Sequence, residues 1–156
     1  VFYTDFHPRP GKRAGAWMTS YKPQFRRGGK NERPHISIVC NFTRPTKTTP
    51  SLLTFNEVTT LFHEFGHALH GILADSTYPS LSGTSVYCDF VELPSQMMEN
   101  WCYEPEALAL FAKHFDTGDQ LPPDLLERML AARRGFTSGG HRLSSLYRLP
   151  RMMLHG

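Results

Sequence analysis

His63-Glu64-Phe65-Gly66-His67 lies inside a stretch, residues 54–74, whose apolar side chains recur at helical spacing. Val58, Leu61, Phe62, Phe65, Leu69, Ile72 and Leu73 mark one stripe, and Thr54-x-x-Glu57 has the form of a capping box at its start. Side chains four apart on a helix stand one above the other, so the imidazoles of His63 and His67 can converge on one cation at roughly 2.0–2.1 Å. Glu64 is too close in sequence to join them from the same side. It is well placed to hold and deprotonate a metal-activated water. Two zinc-ligating histidines and a general base are therefore expected here, against the alternative of two helix histidines packed in a polar core.

A zinc site needs at least one further protein ligand. His70 shares the face of His63 and His67, but it stands another turn along the axis, where a straight helix cannot close a tetrahedron; it is expected to be structural or to support a ligand. A metzincin would carry Gly where His70 stands and His where Leu73 stands, which excludes that class. Two histidines and a glutamate from a following helix is the thermolysin-like arrangement, and Glu92 fits it. Glu99 competes, because Glu92, Gln96 and Glu99 share a helical face. Asp89, Gln96 and Glu99 are further candidates to orient the ligand histidines by hydrogen bonds. Gly66 costs the helix about 1 kcal/mol relative to alanine, so its place implies close approach of another segment or a substrate.

Upstream, Ile36, Ile38, Cys40 and Phe42 alternate with His35, Ser37, Val39 and Asn41, bracketed by Pro34 and Pro45. That pattern predicts an edge strand over 35–42 whose main chain, around Ile38 and Cys40, could hold an extended peptide. Residues 1–34 are rich in Pro, Gly and basic side chains and read as irregular or hairpin-like. Downstream of a Ser/Thr/Pro/Gly loop at 76–85, helices are predicted over about 90–103, 105–115 and 123–134, with Pro94 disturbing the first.

The chain has 156 residues, a formal net charge of +3 and no apolar run near the ~20 residues that cross a bilayer. No membrane partner is expected. Residues 1–50 carry Arg9, Lys12, Arg13, Lys22, Arg26, Arg27, Lys30, Arg33, Arg44 and Lys47 against Asp5 and Glu32, whereas 51–130 are acidic. A nucleic-acid surface is one reading of the basic half. A solvated region balanced by the acidic helices is favoured, since the charges follow no stripe and Gln24 stands where a phosphate loop needs Gly. Cys40, Cys88 and Cys102 are odd in number and sit among apolar neighbours, which points to buried thiols in a reducing, cytoplasmic setting. Because the chain opens on Val1 without a leader pattern and stops at Leu154-His155-Gly156 without a helix cap, it reads as a segment of a longer protein, whose own start could carry a targeting peptide.

His63-Glu64-Phe65-Gly66-His67-Ala68-Leu69-His70-Gly71, the run from Ser82-Gly83-Thr84-Ser85 through Asp89-Phe90-Val91-Glu92-Leu93-Pro94-Ser95-Gln96, and Glu99-Asn100-Trp101 resemble the thimet oligopeptidase family of zinc metallopeptidases. Phe2-Tyr3-Thr4-Asp5-Phe6, Gly11 to Met18 and Val39-Cys40-Asn41-Phe42-Thr43 are similar to it as well. The resemblance covers nearly residues 1–130 and implies His63, His67 and Glu92 as ligands of one zinc ion, with Glu64 as base. It also implies that the edge strand and the Ser82-Gly83-Thr84 loop line a deep channel admitting short peptides to a monomeric parent. Family members are several times longer, and further His and Tyr side chains of theirs have no counterpart here. Residues 135–156, including Tyr147-Arg148-Leu149-Pro150-Arg151-Met152, depart from the family pattern.

The expected architecture is thus mainly α with a small β element. It is zincin-like and forms part of one catalytic domain: a basic loop and β region over 1–50, the zinc helix over 54–74, and a helical region over 89–134 that brings the third ligand. The expected activity is hydrolysis of short peptides, as an oligopeptidase or a peptidyl-dipeptidase. The competing readings are an inactive metal-binding fragment or scaffold and, third, a basic nucleic-acid-binding segment.

Overall fold

The computed structural model describes residues 1–136 and 152–153, and these divide into two compact units. The first comprises Val1–Phe42 and Thr59–Glu99; the second comprises Thr43–Val58 and the chain from Asn100 onward.

In the first unit, strands β1 (Phe2–Asp5), β2 (Trp17–Lys22) and β5 (His35–Val39) form a sheet in the order β1-β5-β2. β5 runs parallel to β1, with Phe2 opposite Ile36, and antiparallel to β2, with Met18 opposite Ile38. The predicted edge strand is therefore corrected: β5 is the central strand and its main chain is bonded on both sides. Past Val39, the amides of Cys40 and Phe42 continue the pairing to the carbonyls of Asp5 and Phe6, at 2.8 Å each. The alternation misled because Ser37, which reads as a solvent-facing position, is buried and its hydroxyl meets Tyr21 Oη at 3.2 Å.

Helix α1 (Phe55–Ile72) lays Ala68, Leu61, Phe65 and Ile72 over Ile36 and Ile38 of β5, with Met18 and Phe6 beside them. Gly71 makes that approach possible, since a Cβ there would lie 2.4 Å from Ile36 Cδ1. The short strands β3 (Phe25–Arg27) and β4 (Lys30–Glu32) pair around Gly28-Gly29, whose φ values of 57° and 78° suit a tight two-residue hairpin turn. This hairpin is tied to the segment that leaves α1. Arg33 donates to the Ile72 carbonyl and, at 3.3 Å, to that of Ala74. Arg26 forms a two-pronged pair with Asp75 at 2.7 and 2.8 Å. Buried Gln24 accepts from the Ser76 amide at 2.7 Å and donates to Asn31 at 2.9 Å. Lys22 pairs with Glu32. Much of the basic charge of residues 22–33 is thus committed to bonds within the chain.

The second unit holds the start of α1. Thr54 and Glu57 form the expected capping box, Glu57 N donating to Thr54 Oγ1 at 3.2 Å and Thr54 N to Glu57 Oε2 at 2.7 Å. β6 (Leu52–Leu53) pairs with β7 (Met152–Met153), and α4 (Pro105–Phe111) and α5 (Pro123–Phe136) follow a 3-10 turn at Trp101–Tyr103. Leu52, Leu53, Val58, Cys102, Leu108 and Met129 are buried here. The described chain is mixed helix and strand rather than mainly helical, because the Pro/Gly-rich first 34 residues form strands. The departure from the family pattern expected over 135–156 falls almost wholly outside the described residues. Cys40 and Cys102 are buried as expected, whereas Cys88 is exposed. Among the described residues no helix is long and apolar enough to cross a membrane.

Candidate metal centre

One turn of α1 presents His63 and His67 side by side, their ring centroids 4.9 Å apart and nearly perpendicular. A carboxylate meets them from across a gap. Glu92 Oε2 lies 3.3 Å from His63 Nε2 and 3.2 Å from His67 Nε2. One donor atom from each of the three falls within 4.8 Å of the others, and all three residues belong to the first unit.

The path that delivers Glu92 explains why it, and not Glu99, faces the pair. Beyond α1 the chain is held by the hairpin, then by Ser82, whose hydroxyl reaches Gln24 Oε1 at 3.3 Å. Gly83, at φ +60°, turns it back so that a Cβ there would sit 3.0 Å from Gly71 Cα. The single helix predicted over 90–103 is in fact two, α2 (Cys88–Val91) and α3 (Leu93–Asn100), because Pro94 has no N–H to extend the ladder to Phe90. Glu92 caps α2 at that junction. α3 then lies directly on α1 at Gly66, where a Cβ would be 2.5 Å from Ser95 Cα and 2.6 Å from the Pro94 carbonyl oxygen. The neighbour foreseen for Gly66 is thus a segment of the chain itself. Glu99, two turns on, bonds His63 at Nδ1 (2.6 Å), the nitrogen facing away from Glu92. Glu92 and Glu99 therefore face opposite nitrogens of His63.

The electrostatics suit a cation. Burial lowers the His67 pKa more than Glu92 raises it, which favours the neutral ring whose lone pair a cation can accept. The Ser95 hydroxyl, bonded to Glu92 Oε2 at 2.8 Å, lowers the Glu92 pKa; burial opposes this, and the two histidines add to it. Glu64 is only 7% exposed, and its carboxyl is pushed up by burial, partly countered by His63 and reinforced by Glu92. A carboxyl held above its ordinary range takes up a proton more readily than an ordinary one.

The other expected residues fall into two groups. His70 is half-buried, edge-on to Phe90 at 6.1 Å, and burial lowers its pKa; it stands apart from the convergent donors. The Nδ1 atoms of His67 and His70 are buried with no hydrogen-bond partner among the described residues. Asp89 and Gln96 are exposed, on α2 and α3 respectively. Ile38 is buried beneath α1 and Cys40 is buried too, its thiol pushed up to about 12 by burial; the main chain here is already paired, so neither offers a peptide-binding edge. Ser82 is buried against Gln24, while Gly83 and Thr84 are half-buried. Sequence reasoning missed Ser95; its one signal was the three-residue spacing at which a helical hydroxyl reaches back to a preceding carbonyl, here Glu92 O at 2.9 Å.

Two imidazoles from one helical turn, met by a carboxylate from the next segment, form the donor pattern of a metallopeptidase. Sequence comparison narrows that class. The model of peptidase family M3 matches residues 1–145, and the chain belongs to this family. It is 51% identical over 134 residues to oligopeptidase A of Escherichia coli (strain K12), covering 85% of this chain and 20% of that protein. It is 47% identical over 133 residues to a dipeptidyl carboxypeptidase of Salmonella typhimurium, covering 85% and 19%. An organellar oligopeptidase A of Arabidopsis thaliana matches at 44% over 151 residues, 93% of this chain and 19% of that protein. The chain spans about a fifth of the length of these relatives.

Proposed function

We propose that this chain is the metal-binding part of a zinc-dependent peptidase that hydrolyses short peptides, built on a zincin-like pair of helices. The observation that carries the reading is the convergence of His63 Nε2, His67 Nε2 and Glu92 Oε2, with buried Glu64 on the next position of the same helix. Two nitrogens and one carboxylate oxygen are a zinc donor set that leaves a coordination position open. When bound, zinc supplies a Lewis acid that polarises a carbonyl and makes water more acidic.

The chain's own residues do the rest. Glu64 takes the proton from the attacking water and passes it to the departing amine, a task suited to a carboxyl whose burial raises its pKa. Glu99 holds His63 through Nδ1, so that Nε2 is the donor presented to the metal. β5 is central, so an extended peptide would pair instead with an outer edge of the three-stranded sheet, along β1 or β2. The names of the relatives, oligopeptidase A and dipeptidyl carboxypeptidase, support a peptide substrate.

The test is metal content and turnover together. One zinc per chain after dialysis, lost in His63→Ala and in Glu92→Ala, is the expected result. In the longer parent protein, Glu64→Gln should retain zinc and lose hydrolysis of a quenched fluorescent peptide. Full turnover by Glu64→Gln would remove Glu64 as base, and a native chain without zinc would remove the metal assignment.

A further inference from the structure

We propose that Ser95 is a positioning residue for the third ligand: its hydroxyl holds the Glu92 carboxylate in the orientation that turns Oε2 toward both imidazoles. The inference rests on the zinc reading above and adds to it a residue that touches no metal.

Glu92 needs such a restraint. It stands at the junction of α2 and α3, and its side chain is 47% exposed. An exposed glutamate has three rotatable bonds and water to compete for its oxygens, so nothing in its own backbone fixes where Oε2 points. Ser95 is the opposite kind of residue. It is fully buried, and its Cα rests where a side chain at position 66 would otherwise stand, so its position relative to α1 is set by backbone contact. From that fixed point Oγ reaches Glu92 Oε2 at 2.8 Å and Glu92 O at 2.9 Å. A hydroxyl has one proton to give, and a carboxylate is a stronger acceptor than a carbonyl. The oxygen that receives it is the one lying 3.2 and 3.3 Å from the two Nε2 atoms. Ser95 thereby ties the carboxylate to the same helix contact that fixes its distance from the histidines.

A serine that only filled space would not need its hydroxyl, and a double-mutant cycle separates the two cases. Zinc affinity is measured by competition with a chromophoric chelator on the native chain, Ser95→Ala, Glu92→Ala and the double variant, with melting of each metal-free chain alongside. Ser95→Ala is expected to weaken zinc binding by ~10–100-fold, the usual effect of removing a group that orients a ligand. The metal-free melting curve should stay close to native. In the Glu92→Ala background, where the two histidines keep an affinity too weak to survive dialysis but still readable by chelator competition, the same change should alter affinity by less than about twofold, because the group it acts through is gone. Three results would overturn the proposal: native-like affinity in Ser95→Ala, an equal loss in both backgrounds, or a Ser95→Ala chain that no longer folds, which would make the hydroxyl structural. A native chain that binds no zinc refutes the metal reading itself and is distinct from all three.

Discussion

Replacing Gly66 with alanine adds one methyl group to α1 and tests whether the metal centre depends on backbone contact between two helices. The new Cβ would fall 2.5 Å from Ser95 Cα, 2.6 Å from Pro94 O and 2.9 Å from Pro94 C. Ordinary carbon contacts lie at ~3.5–4.0 Å, so α3 must retreat by about 1 Å, and all three neighbours are backbone atoms that cannot rotate aside. Two energies oppose each other. Alanine favours α1 by ~1 kcal/mol over glycine, while forcing a methyl into packed backbone costs ~1–3 kcal/mol. Global stability should therefore change by no more than ~2 kcal/mol, and helix content should survive. Glu92 immediately precedes α3 and moves with it, so Oε2 loses its place beside the two Nε2 atoms. The expected readout is a fall in zinc affinity of at least ~10-fold, comparable to loss of a group that supports a ligand. Chelator competition measures that affinity, and far-UV circular dichroism with melting reports the fold. A Gly66→Ala chain that binds zinc within about twofold of native would refute the claim that this contact sets the ligand geometry.

Glu99→Gln should weaken zinc binding by ~10–100-fold without removing it, since the ligand atoms remain and only the restraint on His63 is altered; complete retention in the chelator assay would deny Glu99 that role. Burial pushes the Glu57 carboxyl up, but the amides and hydroxyls of Thr54 and Thr43 outweigh it and leave the pKa below the ordinary 4.5. Its contribution to stability is therefore full above that value and fades as the pH falls through the lower folded-state pKa, so Glu57→Gln should flatten the acid side of a melting-temperature profile. Exposed Cys88 should be alkylated under native conditions while Cys40, its thiol pushed up to about 12 by burial, reacts only on unfolding. Rapid native labelling of a Cys88→Ala chain at Cys40 would contradict its burial.

What the sequence revealed follows from the range of the forces involved. α1, its Thr54 cap and the paired histidines rest on neighbours within four residues, and the observed helix Phe55–Ile72 lies within the expected 54–74. The place of β5 in its sheet depends on partners far away in sequence: β1 and β2 flank it, and Tyr21 satisfies the buried Ser37 hydroxyl that an alternating pattern assigns to solvent. The choice between Glu92 and Glu99 had the same limit. Both fit one helical face until the break at Pro94 puts Glu92 at a junction and leaves Glu99 within α3, facing Nδ1. Ser95 was invisible because a small polar residue in a helix usually signifies nothing beyond its own hydrogen bond.

Small residues at the contacts decide how Glu92 reaches the two histidines. Gly71 lets Ile36 of β5 rest against α1, Gly83 folds the returning chain onto Gly71, and Gly66 admits Pro94 and Ser95. The first seats α1 on the sheet, the second fixes the chain that returns from α1, the third fixes α3 just beyond Glu92, and Arg26, Arg33 and Gln24 hold the stretch that leaves α1. The two histidines are thus a local property of one helix, present wherever that helix forms. The carboxylate is a tertiary property, placed by backbone-to-backbone approach and aimed by a buried hydroxyl. A helix bearing His-Glu-x-x-His without those glycines and that serine would keep its paired histidines and lose the carboxylate that meets them.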